Sequence, residues 1–246
     1  MAVPFVKRFR PTFWPTVLML PMLAVLIGLG SWQLQRLEWK TGILATIDER
    51  IEAPPEPMPA AFDDPEAWNY RRVRVEGRFL HDRELFLAGR TFQGRAGYQI
   101  MTPLVRTDAA QQQVVLVNRG WIPSDRRDPA TRPESRPEGI VAVDGILRLP
   151  PPRGWMQPDN ATLENVWYWT DLPAMAEAAG VADPPPLILE AGPGEPETLP
   201  IGGQTRINIP NDHLQYALTW YSFAVILLVI YVIYHLRPPN RPLRKT

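Results

Sequence analysis

The chain has 246 residues, 26 basic side chains against 26 acidic ones, three histidines and no cysteine. Balanced charge leaves no global electrostatic footprint for nucleic acid. The absence of cysteine excludes a disulfide framework, thiolate zinc or copper sites, a CxxC redox site and haem attached covalently through CxxCH.

Residues 11–35 carry no Asp, Glu, Lys or Arg. A helix needs about 20 apolar residues to cross a bilayer core, so residues 13–35 are expected to be a first transmembrane helix behind a short tail, 1–12. Gly28-Leu29-Gly30-Ser31-Trp32-Gln33 is a poor signal-peptide cleavage site, so the span is expected to be retained. Leu34, Leu37, Leu44 and Ile47 recur at helical spacing, which carries the same helix on to about Ile51. The proline run Pro54-Pro55-Glu56-Pro57-Met58-Pro59 should stop it.

Short extended runs follow. Arg72 to Phe79 alternates with period two, Glu84 to Leu87 follows a turn at His81-Asp82, and Gly97 to Leu104 reads as a third strand. Val114 to Ile122 is apolar enough to be central. Ile140 to Leu149 is a fifth strand, with Gly145 as a bulge position. A helix is predicted over Leu172 to Ala179, capped at Thr170 or Asp171, opened by Pro173 and ended by Gly180. Leu187 to Glu190 is a further strand, and the Gly/Pro-rich residues 191–206 form a loop. Residues 36–212 are therefore expected to be one antiparallel-rich α+β domain, with a barrel-like closure left open. That length is ample for a real core.

Residues 213–236 are the second uncharged stretch and the expected second transmembrane helix, followed by a tail, 237–246. Lys7, Arg8 and Arg10 precede the first span, and Arg237, Arg241, Arg244 and Lys245 follow the second. The positive-inside rule puts both tails in the cytoplasm and the domain on the outer face, periplasmic in a bacterium.

The domain offers little catalytic material. It has one histidine, His81, and two serines, Ser124 and Ser135. No nucleophile elbow surrounds either serine, which argues against a membrane-tethered hydrolase. His81 reads as an exposed turn residue, and Gly202-Gly203 lacks the context of a phosphate loop. The domain reads as a binding or scaffolding body, and no enzyme activity is expected.

The membrane boundary is richer. Trp32, Arg36 and Trp39 share one helix face, and His213, Tyr216, Ala217 and Trp220 share another. An imidazole beside aromatic surface, with a guanidinium nearby, suits a porphyrin. His213 would ligate the iron and Arg36 would pair with propionates, with Trp32, Tyr216 and Trp220 as flanking contacts. Ordinary interfacial anchoring accounts for the same residues, with Asn211 or Asp212 as helix cap. In Asn118-Arg119-Gly120-Trp121, a bulge at Gly120 with Trp121 on the core competes with a partner-facing surface.

Gly30-Ser31-Trp32-Gln33-Leu34-Gln35-Arg36-Leu37-Glu38-Trp39-Lys40 resembles the first-helix signature of the Surfeit locus protein one family. Val117-Asn118-Arg119-Gly120-Trp121-Ile122-Pro123 and Asn211-Asp212-His213-Leu214-Gln215-Tyr216-Ala217-Leu218-Thr219-Trp220-Tyr221 are similar to its central and second-helix motifs. The resemblance runs through nearly the whole chain. It implies an assembly factor for cytochrome c oxidase that matures the catalytic subunit around haem a, with His213 as the haem ligand. No other metal is implied. The partners implied are the oxidase catalytic subunit and membrane lipid, with haem a synthase as a further candidate. A protein-only scaffold is the alternative. The N-terminus lacks a transit-peptide pattern, which points to a bacterial cell inner membrane.

Overall fold

The computed structural model describes residues 8–109, 113–195, 198–205 and 210–237. In chain order its elements are β1 (Arg8–Phe9), α1 (Phe13–Glu52), β2 (Glu56–Pro57), α2 (Pro65–Trp68), β3 (Arg72–Phe79), β4 (Leu85–Phe92), β5 (Arg95–Arg106), β6 (Val114–Pro123), β7 (Val141–Arg148), β8 (Val166–Trp167), α3 (Leu172–Ala178), β9 (Ile188–Ala191), α4 (His213–His235) and β10 (Leu236–Arg237). The chain divides into two compact units: Met1–Thr46 with Asn208–Thr246, and Ile47–Ile207. Lys7, Arg241, Arg244 and Lys245, on which the charge-bias reading leans, lie outside the described residues. So do residues 196, 197 and 206 of the expected loop.

The first unit is a helix pair. Both α1 and α4 are long and apolar enough to cross a membrane, as the uncharged stretches require. Their contacts run antiparallel: Thr12 meets His235, Thr16 meets Tyr231, Ser31 meets Tyr221 and Gln33 meets His213. Small residues let the backbones approach, since Gly30, Ala217 and Ala224 are buried. Most large apolar side chains of both helices face outward, among them Leu18 and Ile233. That is the pattern of helices whose surroundings are themselves apolar. At the far end β1 pairs antiparallel with β10.

The second unit is an eight-stranded sheet in the order β2-β3-β7-β9-β6-β5-β4-β8, with β3 also pairing β5. That extra pairing returns the order on itself through β3, β7, β9, β6 and β5. The pairings are antiparallel except β2–β3, β4–β8 and β6–β9. Period-two patterning in β3 buries Val73 and Val75 and exposes Arg74 and Glu76. In β6 nearly every residue is buried, as its unbroken apolar run requires. Helix α3 lays Leu172, Met175 and Ala176 on Leu85, Leu87, Met101, Leu116 and Trp167. Its start is fixed by Asp171, whose carboxylate accepts from Ala174 N, and by Pro173 in the first turn. Gly180 follows at φ +61°, the left-handed conformation that ends helices.

Two expectations change. Gly145 is not a bulge: it pairs in register with Val73 and with Ala191. It is glycine because a Cβ there would lie 2.4 Å from the Glu190 carbonyl oxygen. His81 is not an exposed turn residue. It sits in a short 3-10 turn with its side chain 14% exposed, and Nε2 donates to the Pro137 carbonyl at 3.0 Å.

Candidate functional site

Helix α4 opens at His213. The expected side-chain cap is absent: Asp212 makes no capping bond, and Asn211 Nδ2 donates to Thr41 Oγ1 at 3.5 Å. The helix is instead tied to α1. Gly30 lies against the Tyr221 ring so closely that a Cβ would fall 2.8 Å from it, and the Ser31 hydroxyl lies 3.1 Å from the Tyr221 hydroxyl. This contact sets the register that brings Gln33 opposite His213.

His213 Nδ1 lies 2.7 Å from Gln33 Oε1. An amide oxygen only accepts, so Nδ1 carries the hydrogen and the neutral ring keeps its lone pair on Nε2. No described residue hydrogen-bonds Nε2. A second-bond partner at one nitrogen and a lone pair at the other is how metal-binding histidines are held. His235, at the other end of α4, is the contrast. Its Nδ1 donates to the Tyr231 carbonyl at 2.8 Å, and its Nε2 accepts from the Thr12 hydroxyl at 2.9 Å. Both nitrogens are consumed, and the ring is fully buried.

The other expected contacts are dispersed. Arg36 stacks on Trp39, 4.2 Å above the ring. Trp32 and Tyr216 are more than half exposed, and Trp220 packs edge-on to Phe223 at 6.2 Å. No hydrogen bond, ion pair or ring contact among the described residues joins Arg36, Trp32, Tyr216 or Trp220 to His213. The structure brings Gln33 to the histidine instead.

The donor set suits a haem better than a bare ion. Among the described residues no group of three or more histidine or acidic side chains is placed to hold a metal. A single imidazole with one lone pair is enough for an iron whose remaining positions are filled by a porphyrin. Exposed Trp32 and Tyr216 offer apolar area for a macrocycle.

Sequence reasoning missed the charge cluster of the sheet domain. Glu84 is buried and accepts from Arg132 Nη2 at 2.7 Å and from Arg119 Nη1 at 3.4 Å. Arg132 is completely buried; it also donates to Ser135 Oγ at 2.7 Å and to the Arg126 and Arg127 carbonyls at 2.9 and 3.4 Å. Arg119 donates to the Ser135 carbonyl and stacks 4.6 Å over Phe79. Burial pushes its guanidinium down to about 10, against the pull of Glu84. Every charge here is answered from within, which marks the cluster as structural.

The same cluster explains the central motif. The pairing of β5 with β6 slips between Ile100 and Met101, so Arg119 is the extra residue of a bulge. Gly120 sits at φ +124°, where a Cβ would meet the Ile201 carbonyl oxygen at 2.1 Å. Trp121 is buried, and its Nε1 donates to the Arg90 carbonyl at 3.3 Å. The bulge turns Arg119 toward Glu84 and leaves Trp121 on the core.

Comparison with known proteins agrees with the motifs. Residues 20–225 match the SURF1 family. The chain is 34% identical to a SURF1-like protein of Monosiga brevicollis, with 96% of this chain and 92% of the relative covered. It is 37% identical to Surfeit locus protein 1 of Mus musculus, with 82% and 69% covered, and 35% identical to that of Homo sapiens, with 85% and 72% covered. All three relatives are eukaryotic. The chain belongs to the SURF1 family.

Proposed function

We propose that this protein is a two-pass membrane assembly factor for cytochrome c oxidase that holds haem a at the α1–α4 boundary and presents it to the catalytic subunit. Family membership supports the oxidase role, since the SURF1 family is one of cytochrome oxidase assembly factors. The observation that carries the haem reading is His213 Nε2, a lone pair left open by the bond from Nδ1 to Gln33. In this reading Gln33 orients the imidazole, and His213 Nε2 would donate to the haem iron. Trp32, Tyr216 and Trp220 offer the macrocycle apolar surface, and Arg36 pairs with propionates. Bound haem supplies the iron that Nε2 ligates, and no bond in a substrate is made or broken, so the protein is not an enzyme. A holder that must release its cargo benefits from an exposed site with one protein ligand. Haem a synthase would be the upstream partner. In this reading both tails lie in the cytoplasm of a bacterial cell and the sheet domain is a periplasmic docking body; the β3–β5 pairing supports a barrel-like closure.

The test is an absorption spectrum of the full chain purified from cells that make haem a, beside His213→Ala. The wild type should carry haem a and the variant should lose it. Unchanged haem content and spectrum in His213→Ala would overturn the ligand assignment. A protein-only scaffold is favoured by one observation, the dispersal of Arg36 and the aromatic residues away from His213. Co-purification of the catalytic subunit from cells unable to make haem a, undiminished by His213→Ala, would support the scaffold.

A further inference from the structure

Among the described residues of the sheet domain, the most exposed large apolar side chains are Leu163, Trp155 and Met156, and all three lie between β7 and α3. Trp155 is 93% and Met156 73% exposed, and Leu163 stands fully in solvent. One apolar side chain on a surface is ordinary, but three in one short excursion are not. Trp155 and Met156 are the central residues of a β-turn, closed by Gln157 N donating to the Gly154 carbonyl at 3.0 Å. Such positions ordinarily take Gly, Pro, Asn, Asp or Ser. The turn is locked from both sides. Gly154 N donates to Gln157 Oε1 at 2.8 Å, and Arg153 Nη2 donates to the Gln157 carbonyl at 2.8 Å. Arg153 also pairs with Asp159 at 2.8 Å and lies over Trp169 at 5.7 Å, which ties the turn to the body of the domain.

Leu163 tops the neighbouring excursion, where Ala161 pairs with Val166. Its base is fixed by Asn160, whose Oδ1 accepts from Tyr168 N at 2.8 Å and from Trp169 N at 3.3 Å. Asp159 and Asn160 are consecutive, so both tips rise from one anchored base. The bonds around them hold the apolar side chains out in solvent. Side chains presented on a pre-ordered turn give up little freedom on docking, and Trp and Met are enriched in the cores of protein interfaces. Lipid is the competing occupant. A loop that inserts at an anionic lipid surface sets basic residues beside its apolar ones. From residue 150 to 165 the only basic side chain is Arg153, which is spent on Asp159, and Glu164 adds a negative charge. Arg127 reaches this stretch from outside and is committed to the Glu164 carbonyl at 2.8 Å. A convex apolar tip without surplus positive charge fits a concave apolar pocket on a protein.

We infer that the Trp155–Met156 turn is the docking anchor of the sheet domain, seated in an apolar pocket of a partner protein with Leu163 as a second contact. The partner's identity rests on the assembly-factor reading above, in which it is the oxidase catalytic subunit. The test is co-purification of that subunit with the full chain in detergent, from cells making both, for the wild type, Trp155→Ala, Met156→Ala and Trp155→Phe. Trp155→Ala should retain about tenfold less subunit, the scale of a central interface residue, and Met156→Ala about threefold less. Trp155→Phe should keep most of it. Thermal midpoint and haem content should be unchanged in all three, because the exposed side chains hold nothing in the fold. Equal retention by the wild type and Trp155→Ala would overturn the inference and leave the assembly-factor reading standing. Failure of the wild type to retain the subunit would overturn both. The chain has no cysteine, so Met156→Cys carries a single fluorophore when the full chain is placed in vesicles of phosphatidylcholine and phosphatidylglycerol. Quenching by aqueous iodide and not by brominated acyl chains agrees with the inference, whereas quenching by the acyl chains would give the tip to lipid and overturn it. A wild-type dimer that Trp155→Ala dissociates would give the tip to a second copy and overturn it as well.

Discussion

The helix pair and the sheet domain place polar groups among apolar ones in opposite ways. In the domain, charges are pooled: Glu84 gathers Arg119 and Arg132, and neighbouring carbonyls and the Ser135 hydroxyl accept further guanidinium hydrogens. In the helix pair, polar contacts are solitary bridges strung along the two helices, each a single bond between side chains. A pooled network consumes the valence of its members and so serves structure. A solitary bridge to an imidazole consumes one nitrogen and leaves the other. His235 is closed by a second bond, whereas His213 stays open. The difference supports the proposed placement of haem at the boundary of the helices, with the domain held together by its own network.

The largest effect expected from breaking that contrast is in the pooled charges. Glu84→Ala leaves two buried guanidinium groups without their carboxylate and should cost about 3–5 kcal/mol. Denaturant unfolding of the purified protein measures it, and a loss below about 1 kcal/mol, the scale of exposed pairs, would mean that the arginines are not committed to Glu84. Haem content per folded protein should not change. Next is Gly120→Ala, where a left-handed backbone angle and a collision with Ile201 coincide. A loss on the order of 3 kcal/mol is expected, read from the thermal midpoint. An unchanged midpoint would show that the bulge is not rigid.

Smaller still, and confined to the helices, is Gln33→Leu. It frees the imidazole to rotate and to place its hydrogen on either nitrogen. Loss of such a partner typically lowers metal affinity 10- to 100-fold, so haem a should bind more weakly by about that factor while the domain's unfolding is unaltered. The smallest effect is on the domain surface. Arg74 holds the Asp144 carboxyl below the usual carboxylate range, chiefly by a side-chain hydrogen bond. The folded value lies below the unfolded one of about 3.9. The pair's stabilisation is therefore present above that pH and is lost as pH falls through the folded value. Arg74→Gln should lower the thermal midpoint at neutral pH and lower it by less in acid, below the unfolded value, whereas equal shifts at both would contradict the pairing.

Much of the fold was legible because it rests on local patterning. The alternation from Arg72 to Phe79, the apolar run from Val114 to Ile122 and the Asp171/Gly180 brackets of α3 each act within a few residues. The two-residue strands β2 and β8 were not legible, since they are strands only by virtue of their neighbours β3 and β4. Gly145 looked like a bulge because sequence shows a glycine in a strand but not the β9 carbonyl that crosses it. At the candidate site, His213 stood out as a histidine at a helix start. Its partner Gln33 lies 180 positions away, and Arg36, at the same boundary, was the more conspicuous choice. Glu84 reaches Arg119 and Arg132 across 35 and 48 positions, which no periodicity reveals.

The most direct measurement is a single haem a titration, followed by absorption, of the wild type, Gln33→Leu and His213→Ala in the same detergent. The account predicts three separated affinities in that order, with the spectrum of histidine-ligated haem kept in Gln33→Leu and lost in His213→Ala. Coincident titrations and spectra for all three would contradict it.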